Sequence, residues 1–265
     1  MKIAMAQIDI EQGDFKKNLV KVDKFAAKAK REGAKLIVFP EMFLCGFNYK
    51  KNVEFLENNG NIAVEDLKDV AKKHSICICG SIPYLTTDSD IPTNRFIFIS
   101  DKGEIVATYD KIHLFSVFNE NKYVKAGDEI VVADTPLGRF GFAICYDIRF
   151  PDIFTRMTKR GAKLIIISAA FPHPRSEHWR ILSRARAIEN QCFVIGVNRG
   201  GSEKFGTNEV KYFGMSAAID PWGGVIAECP EDAADSLVFA DISLEDVDNI
   251  RAQIPSLADR RDDIY

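Results

Sequence analysis

The amino-acid sequence predicts an α/β or α+β sandwich, because apolar strands alternate with amphipathic helices and strand hairpins interrupt that alternation. Residues 2–8, 35–40 and 76–81 are short apolar runs with helical spacing of apolar residues between them. The middle of the chain changes character, since residues 95–109 and 130–145 each contain two strand candidates around a short turn. A purely parallel nucleotide-binding sheet is therefore not the architecture that we expect.

The other elements follow the same alternation. A first helix is predicted after Asp14, a residue type typical of N-caps, and Gly33 is expected to end it. Four further elements are predicted in the second half of the chain, at residues 150–160, 164–168, 176–190 and 192–198. No low-complexity segment or linker interrupts this pattern. We therefore predict one domain over residues 1–265.

Composition and charge exclude several classes of function. The chain has 265 residues, is 46% hydrophobic and 28% charged, and carries a formal net charge of -3. It therefore lacks the basic footprint of a nucleic-acid-binding protein. No apolar run approaches the roughly 20 residues that span a bilayer, and the first residues do not form a signal peptide. We expect a cytoplasmic protein that binds neither nucleic acid nor membranes.

The sequence contains no motif for a metal or a nucleotide cofactor. Six cysteines are too few for a disulfide scaffold, and they lack zinc-site spacing. Neither H-x-x-H nor H-E-x-x-H occurs, and neither glycine-rich phosphate motif is present; Gly200, Gly201 and Gly206 lie in a polar loop. We therefore expect no metal and no cofactor.

Three polar residues stand at the ends of predicted strands: Glu41, Lys111 and Cys145. Ligands collect at the carboxyl ends of strands in α/β sheets, so these side chains are candidates for one shared crevice. Each residue taken singly also has an ordinary explanation, as a turn residue, a surface charge and a small buried side chain.

The chemistry of the three residue types is complementary. A thiol has a pKa of about 8.5, so a nucleophilic cysteine needs a base or a nearby cation. A carboxylate can act as that base, and an ammonium group can stabilise first the thiolate and then an oxyanion. Such a set would attack an amide, expel ammonia through an acyl-thioester and hydrolyse the thioester without a histidine.

Three segments resemble the signature segments of the nitrilase superfamily: FPEMF at residues 39–43, YDKIHLF at 109–115 and CYDIRFP at 145–151. They occur in the order of that family, and the resemblance extends over nearly the whole chain. It implies that Cys145 is the nucleophile, Glu41 the general base and Lys111 the charge stabiliser. It also implies that the backbone N–H of Tyr146 completes the oxyanion hole.

The same resemblance implies a second glutamate that orients the lysine and positions the substrate. Glu120 matches this position, and Glu129 is the alternative. The implied fold is a four-layer α-β-β-α sandwich that assembles as a homodimer or a higher homo-oligomer. Residues 243–265 are expected to form a C-terminal helix followed by an arm that crosses the dimer.

The residues after Cys145 indicate a branch of the family. The sequence CYDIRF resembles omega-amidases and deaminated-glutathione amidases, and residues 171–179 resemble a bacterial omega-amidase segment. Phe171 and Arg175 are accordingly predicted to bind substrate, with Arg175 clamping a carboxylate. The substrate implied is a small ω-amide of a dicarboxylic acid, similar to 2-oxoglutaramate. Arg175 could equally be a surface residue at a helix entry.

Other functions remain as alternatives. One is an amidase for carboxylate-free or N-carbamoyl amides, and another is a catalytically silent binding protein with the nitrilase fold. His113 and His178 raise the possibility of a Cys–His protease, but we predict structural roles for both. Cys45 is a rival nucleophile that lacks a cation nearby in sequence, so we predict a packing role for it.

Overall fold

The structure is a computed structural model that describes residues 1–264. In chain order, the strands within this range are β1 (Lys2–Gln7), β2 (Leu36–Val38), β3 (Cys77–Tyr84), β4 (Thr93–Ile99), β5 (Ile105–Asp110), β6 (Val132–Thr135), β7 (Gly138–Ile144), β8 (Leu164–Ala169), β9 (Phe193–Asn198), β10 (Ser202–Phe205), β11 (Asn208–Lys211), β12 (Ala217–Ile219), β13 (Val225–Glu228) and β14 (Ser236–Asp241). The α-helices are α1 (Phe15–Arg31), α2 (Tyr49–Asn59), α3 (Ile62–His74), α4 (Pro151–Lys159), α5 (Ser176–Asn190) and α6 (Glu245–Gln253).

The first sheet has the strand order β14-β1-β2-β3-β4-β5. Strands β1, β2 and β3 are parallel, while β14, β4 and β5 pair antiparallel with their neighbours. Alternate residues of β1 enter different cores, because side chains along a strand point to opposite faces. Ile3 and Met5 face the second sheet, whereas Ala4 and Ala6 pack with buried residues of α1 and α3.

The second sheet has the order β13-β12-β9-β8-β7-β6, with β7, β8 and β9 parallel. Helices α4 and α5 cover its outer face, and its inner face packs on the first sheet. Phe96 of the first sheet stacks on Phe142 of the second, with ring centroids 4.9 Å apart. The two sheets and their two helical layers therefore form the expected four-layer sandwich, in one α/β domain.

The first helix begins and ends where the sequence predicts. The Asp14 side chain accepts a hydrogen bond from the Lys17 backbone N–H, which satisfies one free donor of the first turn. Helix α1 ends at Arg31, and Gly33 has a φ of 83°, a conformation that glycine adopts without steric cost. The predicted α5 at residues 176–190 also coincides with the observed helix.

Four elements were not predicted: α2, β10, β11 and β14. Helix α2 buries only Asn52 and Leu56, so its apolar periodicity is too weak to detect. Strand β14 lies at a sheet edge and is mostly half-buried. Strands β10 and β11 form a hairpin where we expected a polar loop around Gly200, Gly201 and Gly206. A two-stranded hairpin is marginal by itself, so it depends on contacts with the rest of the domain rather than on apolar residues of its own.

The C-terminal segment beyond α6 lies along its own chain up to residue 264. The Gln191 side chain donates to the backbone oxygen of Ile254 over 2.7 Å, and Lys159 pairs with Asp262. The helix occupies residues 245–253, and Tyr265 lies outside the described residues. The dimer-crossing arm remains a prediction. None of the helices within residues 1–264 has the length and hydrophobicity needed to span a bilayer.

Candidate active site

The three candidate residues from separate strands meet in one pocket. Glu41 follows β2, Lys111 follows β5 and Cys145 follows β7, so each side chain stands just beyond the carboxyl end of its strand. All three line the same pocket, together with Glu120. The two sheets thus contribute jointly, with the carboxylate and ammonium from the first and the thiol from the second.

Lys111 connects two buried carboxylates. Its Nζ donates to Glu41 Oε1 over 2.7 Å and to the two carboxylate oxygens of Glu120 over 3.0 and 2.8 Å. Each of the three side chains is about 1–2% exposed. Charges this far from water persist only when they are paired, so the three groups form a single electrostatic unit.

The structure brings Glu120 rather than Glu129 to the lysine. Glu120 is buried and also accepts a hydrogen bond from the Phe115 backbone N–H over 2.7 Å, whereas Glu129 is exposed. Glu120 opens a short 3₁₀ turn, Glu120–Lys122, which turns its carboxylate inward.

Asn94 belongs to the site but was missed by the sequence analysis. Its Nδ2 donates to Glu41 Oε1 over 2.8 Å and to Glu120 Oε1 over 3.3 Å, so it links the two carboxylates beside Lys111. Asn94 is fully buried near the start of β4. The available signal was weak, because Asn94 stands between two other polar residues, Thr93 and Arg95, at the head of β4.

Cys145 occupies a sharp turn between β7 and α4. Its φ of 45° lies in the left-handed region that non-glycine residues rarely adopt, and it opens the 3₁₀ turn Cys145–Arg149. The buried Asp147 side chain holds this turn by accepting from the Ile144 backbone N–H over 2.9 Å. It also accepts from the Tyr109 hydroxyl over 2.7 Å and contacts His113 Nδ1 at 2.8 Å. Asp147 thereby joins the cysteine turn to the segment that carries the lysine.

Neither His113 nor His178 is placed to act as the base of a Cys–His protease. His113 is engaged by Asp147 and stacks on Phe150 with centroids 3.6 Å apart. His178 is exposed and has its Nδ1 3.2 Å from Arg149 Nη2. The Cys45 thiol is buried and points to the Gly46 backbone oxygen, outside the pocket lining.

Burial and charge set the protonation states of the site. Burial raises the pKa of the Cys145 thiol well above its usual value; Glu41 adds to this increase and Lys111 opposes it. Burial likewise raises the pKa of the Glu41 carboxyl, against the opposing effect of Lys111. Burial alone would lower the pKa of Lys111, but Glu120 and Glu41 raise it well above its usual value. The Cys145 thiol is therefore protonated at neutral pH, and the Glu41 carboxyl beside it is more basic than usual.

Glu41 and Cys145 line the same pocket, and the carboxylate acts electrostatically on the thiol. The backbone N–H of Ala170, directly after β8, donates to Glu41 Oε2 over 3.1 Å and fixes the orientation of this carboxylate. Glu41 is therefore placed as the candidate acceptor for the thiol proton.

The pocket walls are mostly aromatic and carry two arginines. Tyr146 and Phe171, both predicted to contact substrate, lie in the wall. Tyr146 packs against Phe115 with ring centroids 5.0 Å apart. The remaining lining side chains outside the catalytic set are Phe47, Tyr49, Phe115, Phe118, Arg149, Ala170, Pro172 and Arg175.

Both arginines reach the pocket over aromatic rings. The guanidinium carbon of Arg175 is 5.9 Å from the centroid of Phe115, and that of Arg149 is 5.2 Å from the centroid of Phe171. Neither forms an ion pair with a carboxylate of residues 1–264. Arg149 was not predicted, although it stands four residues after Cys145 in the third signature segment. The pocket thus holds two guanidinium groups that are available to an anion.

Comparisons with a family model and with known proteins agree on one family. The carbon-nitrogen hydrolase family model matches residues 2–252. The chain is 36% identical over 264 residues to a 2-oxoglutaramate amidase of Bacillus subtilis, covering 99% of this chain and 98% of that protein. It is 32% identical over 271 residues to a human omega-amidase, covering 98% and 96% of the two chains.

Solved structures agree in fold. The crystal structure of the C. elegans NitFhit protein superposes with a TM-score of 0.89 at 32% identity, covering 100% of this chain and 66% of that longer chain. Saccharomyces cerevisiae Nit3, a member of the nitrilase superfamily, gives a TM-score of 0.86 at 28% identity, with 96% and 94% covered. The protein therefore belongs to the carbon-nitrogen hydrolase family.

Proposed function

We propose that this protein hydrolyses the terminal amide of a small dicarboxylic acid monoamide, similar to 2-oxoglutaramate, to the free acid and ammonia. One observation carries this proposal: the buried thiol, carboxylate and ammonium open into a pocket that also holds Arg149 and Arg175, neither of which has a carboxylate partner within residues 1–264. The names of the relatives, 2-oxoglutaramate amidase and omega-amidase, support the same substrate class.

In the first half of the proposed reaction, Glu41 removes the proton from the Cys145 thiol as sulfur attacks the amide carbon. The carbonyl π electrons move to oxygen, and the resulting oxyanion is stabilised by the Lys111 ammonium and the backbone N–H of Tyr146. When the tetrahedral intermediate collapses, the carbon–nitrogen bond breaks. The nitrogen takes the proton held by Glu41 and leaves as ammonia, and an acyl-thioester remains on Cys145.

In the second half, Glu41 removes a proton from a water molecule that attacks the thioester carbon. The same oxyanion site holds the second intermediate, the carbon–sulfur bond breaks and the thiolate recovers the proton from Glu41. Glu120 and Asn94 act throughout by fixing Lys111 and Glu41 through the hydrogen bonds described above. Because both halves use one carboxylate in both protonation states, its raised pKa suits the cycle.

Substrate selection is assigned to the arginines and to Phe171. A guanidinium binds a carboxylate through two parallel hydrogen bonds, which fixes both the position and the direction of the substrate. Phe171 is buried beside Arg149 and contributes an apolar wall for the methylene chain. The alternatives are an amidase for carboxylate-free or N-carbamoyl amides and a silent binding protein. Two guanidinium groups that have no carboxylate partner within residues 1–264 favour an anionic substrate.

We also propose that the protein assembles as a homodimer in the cytoplasm. Ile181 and Ile188 are exposed seven residues apart on one face of α5, and the exposed Trp222 lies on the turn beside Ile188. Exposed large apolar side chains on one side of the domain support self-association, and six unpaired cysteines suit a reducing compartment.

Sedimentation velocity should show a dimer, and Ile188→Arg should convert this dimer to a monomer. A monomeric wild-type protein would contradict the proposed assembly. Recovery of the protein in an extracytoplasmic cell fraction would contradict the proposed location.

Replacing Cys145 with alanine should abolish ammonia release from glutaramate, because the acyl-thioester cannot form. Cys45→Ala is the matched control and should keep near-wild-type activity, since its thiol lies outside the pocket lining. The measurement is ammonia release from glutaramate by both variants, and circular dichroism checks that both are folded. Loss of activity in Cys45→Ala with retention in Cys145→Ala would reverse the assignment of the nucleophile.

The pH profile of kcat/KM should report Glu41. The reactive form has a Glu41 carboxylate, so activity is lost as pH falls through its raised pKa, above the value of about 4.3 that is usual for glutamate. Glu41→Gln should lower kcat by roughly 10²–10⁴-fold and remove this acid limb. Glu129→Gln, at an exposed glutamate, should keep the wild-type profile; an unchanged limb in Glu41→Gln would assign the titration to another group.

Removing either guanidinium should weaken binding of the substrate carboxylate. Hydrogen bonds to charged groups contribute about 1.5–3 kcal/mol, so Arg175→Ala and Arg149→Ala should each raise the KM for glutamate-sized ω-amides by roughly 10- to 100-fold. Pentanamide, a carboxylate-free amide of the same chain length as glutaramate, is the control substrate and should show little change. Equal losses on both substrates would show that the arginines support the fold rather than the carboxylate.

A further inference from the structure

The hairpin formed by β10 and β11 touches the pocket wall without lining the pocket. Glu203 and Phe205 lie two residues apart on β10, so both project from the same face of the strand. The Lys204 side chain is exposed on the opposite face. Phe205 does not line the pocket itself, but its ring centroid is 5.5 Å from that of Phe118, which does.

A continuous series of contacts runs from this hairpin to Arg175. Phe118 packs edge-on against Phe115, with ring centroids 5.1 Å apart. The guanidinium carbon of Arg175 lies 5.9 Å from the Phe115 ring centroid. Phe205, Phe118, Phe115 and Arg175 therefore form an ordered row, which we name the aromatic row, from the hairpin to the candidate carboxylate-binding group.

Buried charged side chains hold the backbone at both ends of the aromatic row, at Phe115 and at the hairpin that carries Phe205. On one side, the Phe115 backbone N–H donates to Glu120 Oε2 over 2.7 Å. On the other, Glu203 is paired with the fully buried Arg199 and accepts from the Phe47 backbone N–H over 2.7 Å. The hairpin that carries Phe205 is thus tied to the body of the domain, so its phenylalanine offers Phe118 a fixed packing surface.

We propose that Phe205 is a positioning residue for carboxylate recognition, acting on Arg175 through Phe118 and Phe115. This inference rests on the proposed function, since it assumes that Arg175 binds the substrate carboxylate. An arginine side chain loses rotamer freedom when it is fixed in one orientation, and packing on a held ring reduces this loss at the moment of binding. Phe205 lies too far along the row to contact the reacting atoms, so its effect falls on binding rather than on chemistry.

Phe205→Ala should raise the KM for glutaramate by roughly three- to tenfold, the range that corresponds to loss of one aromatic pair, while kcat stays near the wild-type value. Phe205→Leu should restore most of the loss, because it refills the volume beside Phe118. Pentanamide should be hydrolysed by Phe205→Ala with unchanged KM. Lys204→Ala is the control on the opposite face of the same strand and should match wild type on both substrates.

A double-mutant cycle with Arg175→Ala separates this role from a merely structural one. If Phe205 acts through Arg175, Phe205→Ala should change the KM for glutaramate by less than about twofold in the Arg175→Ala background. A full three- to tenfold rise in that background, or an equal rise for pentanamide, would overturn the proposal. Failure of the proposed function itself would be seen earlier and separately, as absence of glutaramate turnover by the wild-type protein.

Discussion

The ammonium group of Lys111 lies 2.7 Å from Glu41 and 2.8 Å from Glu120, with all three side chains removed from water. Transfer of these charges to the interior costs several kcal/mol per ion, and only their mutual attraction and full hydrogen bonding offset that cost. Asn94 contributes by donating to both carboxylates. Because the three charges come from separate segments, their pairing fixes how the ends of β2, β4 and β5 lie against one another. Removal of the Lys111 ammonium would leave two carboxylates buried side by side without a cation.

This arrangement also determines what kind of nucleophile the site contains. Burial and the nearby Glu41 carboxylate raise the pKa of the Cys145 thiol, and the single ammonium is already shared between two carboxylates. A permanently ionised cysteine, such as a neighbouring imidazolium would produce, is therefore disfavoured. In the mechanism that we propose, the proton moves to Glu41 during attack, while Lys111 remains charged and available to the developing oxyanion. Asp147 holds the strained turn at Cys145 in the geometry that this transfer needs.

Strand periodicity and three short motifs are local signals, and from them the layered α/β fold and the meeting of Glu41, Lys111 and Cys145 in one pocket could be predicted. The catalytic roles of these three residues stay a prediction. The sequence did not reveal Asn94, whose role depends on the pairing of β3, β4 and β5 rather than on its neighbours in sequence. Arg149 was likewise overlooked, since nothing local shows that the turn after Cys145 directs it to the pocket wall. The β10–β11 hairpin lacks a strong apolar pattern, and it contacts the distant Phe47 and Phe118. A single sequence records long-range contacts of this kind only weakly.

The most direct test of the mechanism is mass spectrometry of the protein after rapid acid quenching during turnover of glutaramate, followed by peptide mapping. We expect an acyl group, with the mass of the acid minus water, on the peptide that contains Cys145, and no such group on the peptide that contains Cys45. An adduct on any other residue, or steady turnover without a covalent intermediate under conditions that preserve thioesters, would contradict it.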